Sequence, residues 1–279
     1  MPLFSAAPLL EAAQKGGYAV GAFNVENMEM VQAVIAAGEQ MRAPVILQTT
    51  PGTLKYAPPS AFAGCVRGLA RDAKIPVALH LDHGNSYELA EACKREGYTS
   101  LMIDGSPLPF DENVALTRKV VEMASGIPVE AELGTVGGKE DDHEAKPVYT
   151  DPREAIEFVK KTGVSSFAVA IGTAHGVYKG IPKLDMNRLS EIRAGLAVPL
   201  VLHGTSGVPH EQVKACIKLG IAKVNYATEL RIVFSDGVKA ALQETPNGFD
   251  PKKYLAAGRK AVAERVCELI CVCGCDGKA

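Results

Sequence analysis

Residues 76–84 read PVALHLDHG, in which a proline opens an apolar run that ends in Asp82, His83 and a glycine. Proline is tolerated at the first residue of a strand, where its missing N–H matters least. Three more segments repeat this pattern: PVILQ at 44–48, PVEAEL at 128–133 and PLVLHG at 199–204. Short, nearly continuous apolar runs are typical of parallel strands that are buried on both faces.

Four further segments complete a set of eight predicted strands. They are YAVGAF from residue 18, and three runs that follow a helix-ending glycine: YTSLMID after Gly97, VSSFAVAIG after Gly163 and IAKVN after Gly220. The segments between them have helical periodicity and start signals, such as Asn85-x-x-Glu88 and Asp151-x-x-Glu154, with Pro152 at the first helical position. Strands that alternate with helices, without hairpin signals, predict a parallel sheet.

The alternation continues without a polar linker to a helix near residues 229–242. We therefore predict an α/β fold, a single (β/α)8 TIM barrel over residues 1–279, with a C-terminal helix and cysteine-rich tail from about residue 251. An open doubly wound sheet is the alternative, and it favours a glycine-rich dinucleotide loop after its first strand. GAFNVEN at 21–27 lacks the GxGxxG spacing of that loop.

Composition excludes several classes of partner. The chain carries 30 Lys and Arg against 32 Asp and Glu, a formal net charge of −2, and has no block of basic residues for nucleic acid or an acidic membrane. No apolar run reaches the roughly 18 residues of a membrane span. The N-terminal sequence MPLFSAAPLLEAAQK lacks the basic region of a secretory signal. We therefore expect a cytoplasmic protein without nucleic-acid or membrane partners.

The seven cysteines do not form a recognisable motif. An odd number over a long chain argues against a disulfide framework. Cys267, Cys271, Cys273 and Cys275 crowd the C-terminus, but their spacing is not that of a zinc or iron–sulfur motif. We expect an exposed, oxidation-prone tail, and the sequence leaves its role open.

Polar residues mark the carboxyl ends of the predicted strands, where (β/α)8 barrels carry their active sites. They are Asp82, His83, Asp104, Glu130, Glu132, His175, His203, Asn225 and Thr228. Three of the histidines, His83, His175 and His203, each precede a glycine. Three neutral imidazoles that converge and leave a fourth position open are typical of a catalytic zinc site. We interpret the other histidines as structural: His80, His143 and His210.

Two segments after the seventh and eighth strands predict a phosphate site: Gly204-Thr205-Ser206-Gly207 and Asn225-Tyr226-Ala227-Thr228. Barrels commonly bind phosphate there through backbone N–H groups and hydroxyls. Asp82, beside a predicted metal ligand, is a candidate general acid/base, and the alternative is a carboxylate that only orients a histidine. The Gly-rich, charged segment 134–150 is either an active-site lid or a solvent loop.

Long segments in the same order resemble the class II, zinc-dependent ketose-bisphosphate aldolases, a group that includes fructose-1,6- and tagatose-1,6-bisphosphate aldolases. They cover nearly the whole chain: GGYAVGAFNVEN, LHLDHG, LMIDGS, VEAELGTVGGKEDD, AVAIGTAHG, PLVLHGTSG and KVNYATEL. The resemblance implies reversible cleavage of a ketose 1,6-bisphosphate to dihydroxyacetone phosphate and glyceraldehyde 3-phosphate. It also implies a catalytic Zn²⁺, a response to a monovalent cation, and a homodimer or homotetramer.

The resemblance further implies roles for individual residues. His83, His175 and His203 would hold the zinc, while Asp82 would act on the C4 hydroxyl. Asp104 and Glu132 match a second, alternative metal site, and Glu140 matches a carboxylate that moves the substrate's α-proton. Dihydroxyacetone phosphate would be bound by Gly176, Gly204, Thr205, Ser206, Asn225, Tyr226, Ala227 and Thr228.

Some positions depart from the family pattern. Pro107 stands where many relatives have His, and Thr50 stands where relatives carry a Ser that helps to bind the second phosphate. Arg259 is either a contact for that phosphate across a subunit interface or a surface residue. Fructose and tagatose bisphosphates differ only at C4, so the choice between them stays open.

Three alternatives to a zinc-dependent ketose-bisphosphate aldolase remain open. The first is a class II aldolase for another phosphorylated ketose, and the second is a non-catalytic sugar-phosphate binding protein. The third is Schiff-base chemistry at Lys223, the lysine on a predicted strand that could serve as nucleophile.

Overall fold

The computed structural model describes residues 3–140, 143–178 and 180–279. The strands in chain order are β1 Val20–Asn24, β2 Val45–Thr49, β3 Val77–Gly84, β4 Ser100–Ile103, β5 Val129–Leu133, β6 Gly137–Glu140, β7 His143–Ala145, β8 Ser166–Val169, β9 Ala174–His175, β10 Leu200–Leu202 and β11 Ile221–Tyr226. Eight of them form a closed barrel in the order β1-β11-β10-β8-β5-β4-β3-β2, and β2 pairs with β1 to close it. All these pairings are parallel. The predicted TIM barrel is thus confirmed, and the open sheet is excluded.

The helices pack around and below the barrel. They are α1 Ala6–Gly16, α2 Met28–Met41, α3 Pro51–Tyr56, α4 Pro59–Ala70, α5 Tyr87–Arg95, α6 Phe110–Ala124, α7 Pro152–Thr162, α8 Met186–Gly195, α9 His210–Lys218, α10 Thr228–Glu244 and α11 Pro251–Cys273. Among the described residues, none of these helices is long and apolar enough to cross a membrane.

Helix starts follow side-chain capping. The Asp151 carboxylate accepts from the backbone N–H groups of Arg153 and Glu154, and Pro152 occupies the first turn as predicted. The start predicted at Asn85 is wrong by one residue. Ser86 is the N-cap of α5, and its hydroxyl accepts from the Leu89 N–H at 3.2 Å.

Helix α1 covers the amino-terminal end of the barrel. Its Leu10 and Ala13 are buried against apolar residues that the strands contribute there: Val20, Ala22, Ile46, Ala78 and Ala222. The Phe4 N–H also donates to the Val77 carbonyl at 2.8 Å, which ties the start of the chain to β3. With this end filled by aliphatic side chains, the carboxyl ends of the strands remain as the face for a site.

The described residues of the segment 134–150 include two strands, β6 and β7. Strand β6 pairs antiparallel with β7 and parallel with β9, the short strand that carries His175. Gly138, at φ +91°, lies so close to the His175 carbonyl that a Cβ would overlap it. Only glycine combines this backbone angle with such an approach. Sequence reasoning described a lid or solvent loop here and did not foresee strands.

The C-terminal tail differs from expectation. Cys271 is exposed and Cys267 is half-buried, but Cys273 and Cys275 are buried. Gly274 ends α11 at φ +68°, so the chain turns back, and the Ala19 N–H donates to the Cys273 carbonyl at 3.0 Å. The expected exposed tail is therefore wrong for Cys273 and Cys275, because a glycine-capped turn docks this segment beside β1.

Candidate metal centre and active site

Three histidines converge at the carboxyl end of the barrel. His83 lies in β3, His175 in β9 and His203 directly after β10. Each offers a ring nitrogen, and these nitrogens all lie within 4.8 Å of one another. Three imidazoles arranged in this way can hold one metal ion and leave a position for a substrate oxygen.

His83 stands at the centre of this group. Its Nε2 lies 2.8 Å from Nδ1 of His203, and its Nδ1 lies 2.7 Å from Oδ2 of Asp104. The His83 backbone has φ +47°, which is uncommon for a residue with a Cβ. Such backbone strain concentrates at functional sites, where surrounding contacts hold it. Here it turns the ring between two groups of potential ligands.

The electrostatics of the three rings differ. Burial, and then the neighbouring His83, lower the pKa values of His175 and His203 well below the ordinary histidine value. Burial also acts to lower the pKa of His83, but Asp82 and Asp104 outweigh it and raise that pKa well above its usual range. Neutral imidazole is the metal-binding form, so His175 and His203 are ready as ligands. The carboxylates around His83 provide the negative charge that a cation there would meet.

A second group of potential ligands shares His83 and adds Asp104 and Glu132. Glu132 Oε1 accepts from the Val136 N–H at 3.2 Å, while its buried Oε2 has no hydrogen-bond partner within the described chain. Burial, followed by the nearby Asp104, raises the pKa of Glu132 to about 8. A buried carboxylate oxygen without a partner costs stability, so this atom fits a role as a cation ligand.

Asp82 is held by two amides. Its Oδ2 accepts from Asn24 Nδ2 at 2.9 Å, and its Oδ1 accepts from Asn225 Nδ2 at 3.0 Å. Burial acts to raise its pKa, but His83 and His203 more than offset this, and the pKa of Asp82 is lowered. Asp82 is therefore an oriented, ionised carboxylate beside the metal-type ligands, as a general base requires.

Sequence reasoning missed the residues that support Asp82 from β1 and β2. Gln48 Nε2 donates to Asn24 Oδ1 at 2.7 Å, so the amide of Asn24 is itself oriented. Asn24 ends β1, and its place at the carboxyl end of a strand was the available signal. Gln48 sits inside β2 and gave no comparable signal.

The two phosphate-type segments lie beside the histidines. One cavity is lined by both segments and by the metal-type ligands: Asn24, Asp82, His83, Ala174, His175, Gly176, His203, Gly204, Thr205, Ser206, Asn225, Ala227 and Thr228. The Thr205 hydroxyl donates to the Asn225 carbonyl, which joins the segments. Helix α10 begins at Thr228, and in its first turn the Glu229 N–H donates to Ser206 Oγ at 3.3 Å, so the start of the helix lies against the first segment. Helix N-termini of this kind attract phosphate.

Tyr226 does not line the cavity. Its ring stacks on Phe23 with centroids 5.8 Å apart, and its hydroxyl lies 3.6 Å from Cys273 Sγ. The side chain thus packs between the strands and α11. Only the backbone of Tyr226 belongs to the phosphate-type segment.

Tyr178 was also missed. Its hydroxyl accepts from the Ala174 N–H at 2.6 Å and donates to the Gly204 carbonyl at 2.7 Å. This single side chain joins the segment that carries His175 to the one that follows His203. Sequence gives no indication of such a contact, because the partners are backbone atoms far apart in the chain.

Two predicted site residues lie away from the central cavity, and the side chain of a third falls outside the described residues. Thr50 is buried as the N-cap of α3, and Arg259 on α11 is exposed and donates to Gln32 Oε1 at 2.9 Å. Neither is among the residues that line the central cavity. The backbone of Glu140 lies in β6, but its side chain falls outside the described residues.

The chain is similar to known proteins over nearly its whole length. The family model for fructose-bisphosphate aldolase class-II matches residues 5–278. The YdjI aldolase from Escherichia coli K12 is 38% identical, with 100% of both chains covered and a TM-score of 0.88. A Coccidioides immitis protein provisionally identified as a fructose-1,6-bisphosphate aldolase is 30% identical over 98% of this chain and 97% of that one, with a TM-score of 0.89.

A more distant structure has the same fold. The fructose-bisphosphate aldolase of Campylobacter jejuni is 24% identical over 100% of this chain and 97% of that chain, with a TM-score of 0.85. The family match covers nearly every residue of the chain and includes both phosphate-type segments and the three converging histidines. The chain belongs to the class II fructose-bisphosphate aldolase family.

Proposed function

We propose that this aldolase-family protein is a zinc-dependent enzyme that reversibly cleaves a ketose 1,6-bisphosphate, either tagatose or fructose 1,6-bisphosphate. The products are dihydroxyacetone phosphate and glyceraldehyde 3-phosphate. One observation carries the proposal: three histidine ligands and the amide-held carboxylate of Asp82 line the same cavity as the phosphate-type segments. A metal site, a base and a phosphate site together are what this cleavage requires.

His83, His175 and His203 would hold the zinc. When bound, the ion supplies Lewis-acid stabilisation of the negative charge that develops on the ketose. Asp82 accepts the proton of the C4 hydroxyl as the C3–C4 bond breaks, and the electron pair of that bond passes to C3. Glu140 then returns a proton to C3. Condensation follows the same steps in reverse.

Binding of the substrate falls to the two phosphate-type segments. Gly204, Thr205 and Ser206 line the cavity together with Gly176, Ala227 and Thr228, and their backbone N–H groups and hydroxyls would bind the phosphate. We assign the dihydroxyacetone phosphate half to these groups and to the backbone of Asn225 and Tyr226. Asp104 and Glu132 would bind the metal in its alternative position, and a monovalent cation would assist phosphate binding.

Assembly and location complete the proposal. Arg259 is exposed and lies away from the cavity, so in our proposal it would reach a second phosphate only from a neighbouring subunit of a homodimer or homotetramer. The chain would act in the cytoplasm on a small phosphorylated sugar, without nucleic-acid or membrane partners.

A second substrate class is favoured by the charges around the cavity. No lysine or arginine is among the described residues that line it. Thr50, at the position implied for the second phosphate, lies 3.2 Å from Thr53, whose hydroxyl donates to the Glu26 carboxylate at 2.6 Å. The Glu26 carboxylate is itself paired with Arg231, whose Nε lies 2.8 Å from Oε1. The alternative, a ketose phosphorylated only at the dihydroxyacetone end, therefore rests on the described cavity lining, which includes no lysine or arginine.

A coupled assay for dihydroxyacetone phosphate tests the main proposal. Fructose-1,6- and tagatose-1,6-bisphosphate are compared in parallel, after EDTA treatment and after zinc is added back. We expect cleavage that EDTA abolishes and zinc restores, and the ratio of rates identifies the preferred sugar. EDTA-resistant cleavage would contradict the zinc mechanism.

Condensation assays separate the two substrate classes. Dihydroxyacetone phosphate is offered with glyceraldehyde 3-phosphate or with unphosphorylated aldehydes. A preference for glyceraldehyde 3-phosphate supports the bisphosphate, whereas a preference for unphosphorylated aldehydes supports the alternative.

A further inference from the structure

A buried charge pair lies in the barrel directly beneath the histidine site. Glu130 of β5 and Lys223 of β11 are each 1% exposed. Lys223 Nζ lies 2.9 Å from Glu130 Oε2. Neither residue lines the central cavity, and the cleavage described above uses neither of them.

Glu130 connects this pair to a metal-type ligand. Its Oε1 lies 2.8 Å from Nε2 of His203, which is fully buried. The two carboxylate oxygens therefore face different partners, with Lys223 on one side and His203 on the other. On the far side of Lys223, His80 Nε2 lies 3.4 Å from Nζ. Ser100 Oγ lies 2.8 Å from the other ring nitrogen of His80.

This geometry fixes the hydrogen of His203. A carboxylate accepts hydrogen bonds, so Nε2 of His203 carries the hydrogen and Nδ1 is left with a lone pair. That Nδ1 faces His83 at 2.8 Å, inside the cluster of three histidines. A carboxylate behind a ligand histidine fixes its ring orientation and makes it a stronger donor to metal.

Lys223 makes the carboxylate suitable for this task. A buried carboxylate without a partner is strongly disfavoured, and a paired cation removes that penalty only when the geometry is close. Lys223 holds Oε2, so Oε1 remains directed at His203. Because Lys223 is engaged in this pair and is absent from the cavity lining, it is poorly placed to attack a ketose carbon.

We propose that Lys223 is a positioning residue: through Glu130 it fixes the orientation and tautomer of His203 as a metal ligand, and it forms no Schiff base. The inference rests on the proposed function, because it assigns His203 to zinc. In this proposal, a buried Lys–Glu pair acts on the metal through a ligand histidine.

Metal affinity is the direct readout. Zinc dissociation constants of the full chain are measured by competition with a chromophoric chelator for the wild type, Glu130→Gln and Lys223→Met. We expect about 10- to 100-fold weaker zinc binding for each variant, the range typical when a partner of a ligand histidine is lost. Lys218→Met, at an exposed position at the end of α9, is the matched control and leaves affinity unchanged.

The double variant tests whether Lys223 acts through Glu130. Glu130→Gln combined with Lys223→Met preserves side-chain length and removes both charges, which also guards against misfolding of a single variant. We expect affinity within about twofold of Glu130→Gln alone, because residues that act in series are not additive. Losses that add in full would overturn the proposal.

Spectroscopy and trapping give independent readouts. In the Co²⁺-substituted protein, Lys223→Met shifts the visible absorption bands if His203 is reoriented, and Lys218→Met does not. Unchanged zinc affinity and an unchanged Co²⁺ spectrum in Lys223→Met would overturn the inference alone. A wild-type chain that binds no zinc would overturn the proposed function as well. Borohydride trapping of dihydroxyacetone phosphate on Lys223 would contradict both.

Discussion

His83 Nε2 and His203 Nδ1 lie 2.8 Å apart at the carboxyl end of the barrel. Two nitrogen lone pairs repel at this distance unless a proton or a metal ion lies between them. The raised pKa of His83 and the lowered pKa of His203 place such a proton on His83 when no metal is bound. The pair is therefore arranged to share one positive charge.

His203→Ala removes one member of this pair. We expect the variant to lose zinc, because two histidines and an open position do not retain the ion against dilution. Elemental analysis of the purified protein measures the zinc content. The control is His210→Ala, at an exposed position at the start of α9. One equivalent of zinc in His203→Ala that persists when Glu132→Gln removes the alternative position would refute the assignment of His203 as a ligand.

Asp82→Ala separates metal binding from catalysis. The carboxylate is hydrogen-bonded to Asn24 and Asn225 and lies beside the histidines without being needed as a ligand. We expect retained zinc and a fall in kcat of about 10²- to 10⁴-fold, the usual contribution of a general acid/base. Asp72→Ala, at a position with an 84% exposed side chain, serves as the control. Full turnover in Asp82→Ala would assign the base elsewhere.

Tyr178→Phe removes the hydroxyl that joins two segments of the site. It leaves the Ala174 N–H and the Gly204 carbonyl without this partner, at a cost of about 1–3 kcal/mol. We expect a higher KM for the phosphorylated substrate and a lower Tm. Tyr56→Phe, at a position that is 83% exposed, should change neither quantity. An unchanged KM in Tyr178→Phe would show that the two segments hold their positions without the hydroxyl.

Glu229 makes stability depend on pH. Burial is the main cause that raises its pKa from 4.5 to about 7, and Arg265 only partly offsets it. The folded state therefore holds this proton more tightly than the unfolded state, so the free energy of unfolding falls as pH rises from 4.5 towards 7. The full loss is of the order of 3 kcal/mol or less.

Glu229→Gln removes this ionisation. Relative to the wild type, the variant should gain stability between pH 5 and pH 8, measured by urea unfolding at each pH. Glu91→Gln, at an exposed position on α5, is the control and should track the wild type. A stability difference between Glu229→Gln and wild type that does not change with pH would contradict the prediction.

Gly138→Ala tests the contact between β6 and His175. Its Cβ would overlap the His175 carbonyl, and φ +91° disfavours any L side chain. We expect a loss of about 1–3 kcal/mol in the free energy of unfolding and weaker zinc binding as His175 shifts. Gly64→Ala on α4 meets open space and should be neutral or stabilising by roughly 1 kcal/mol. Equal behaviour of both variants would remove any role for the close approach.

The barrel and its three histidines could be predicted because the signals for them lie within a few neighbouring residues of the sequence. Apolar runs after proline or glycine marked seven of the eight barrel strands, the apolar run YAVGAF supplied the first, and each of the three histidines precedes a glycine. The burial of Cys273 was not predictable in this way, because it depends on how α11 docks beside β1.

The contacts that hold the site residues in place could not be predicted from the sequence either. Tyr178 bonds backbone atoms, and Lys223 reaches Glu130 across the barrel, 93 positions away in the chain. Only the strand order and register bring such residues together. Conversely, Asn24 sat at a strand end and could have been included by the same rule that selected Asp82.

Helix α1 gives the barrel a single mouth. Since Leu10 and Ala13 fill the amino-terminal end, everything that enters or leaves the cavity uses the opposite face. In the proposed cleavage, both fragments of the broken carbon–carbon bond therefore share one route out of the barrel, and in the condensation direction both reactants share it on the way in.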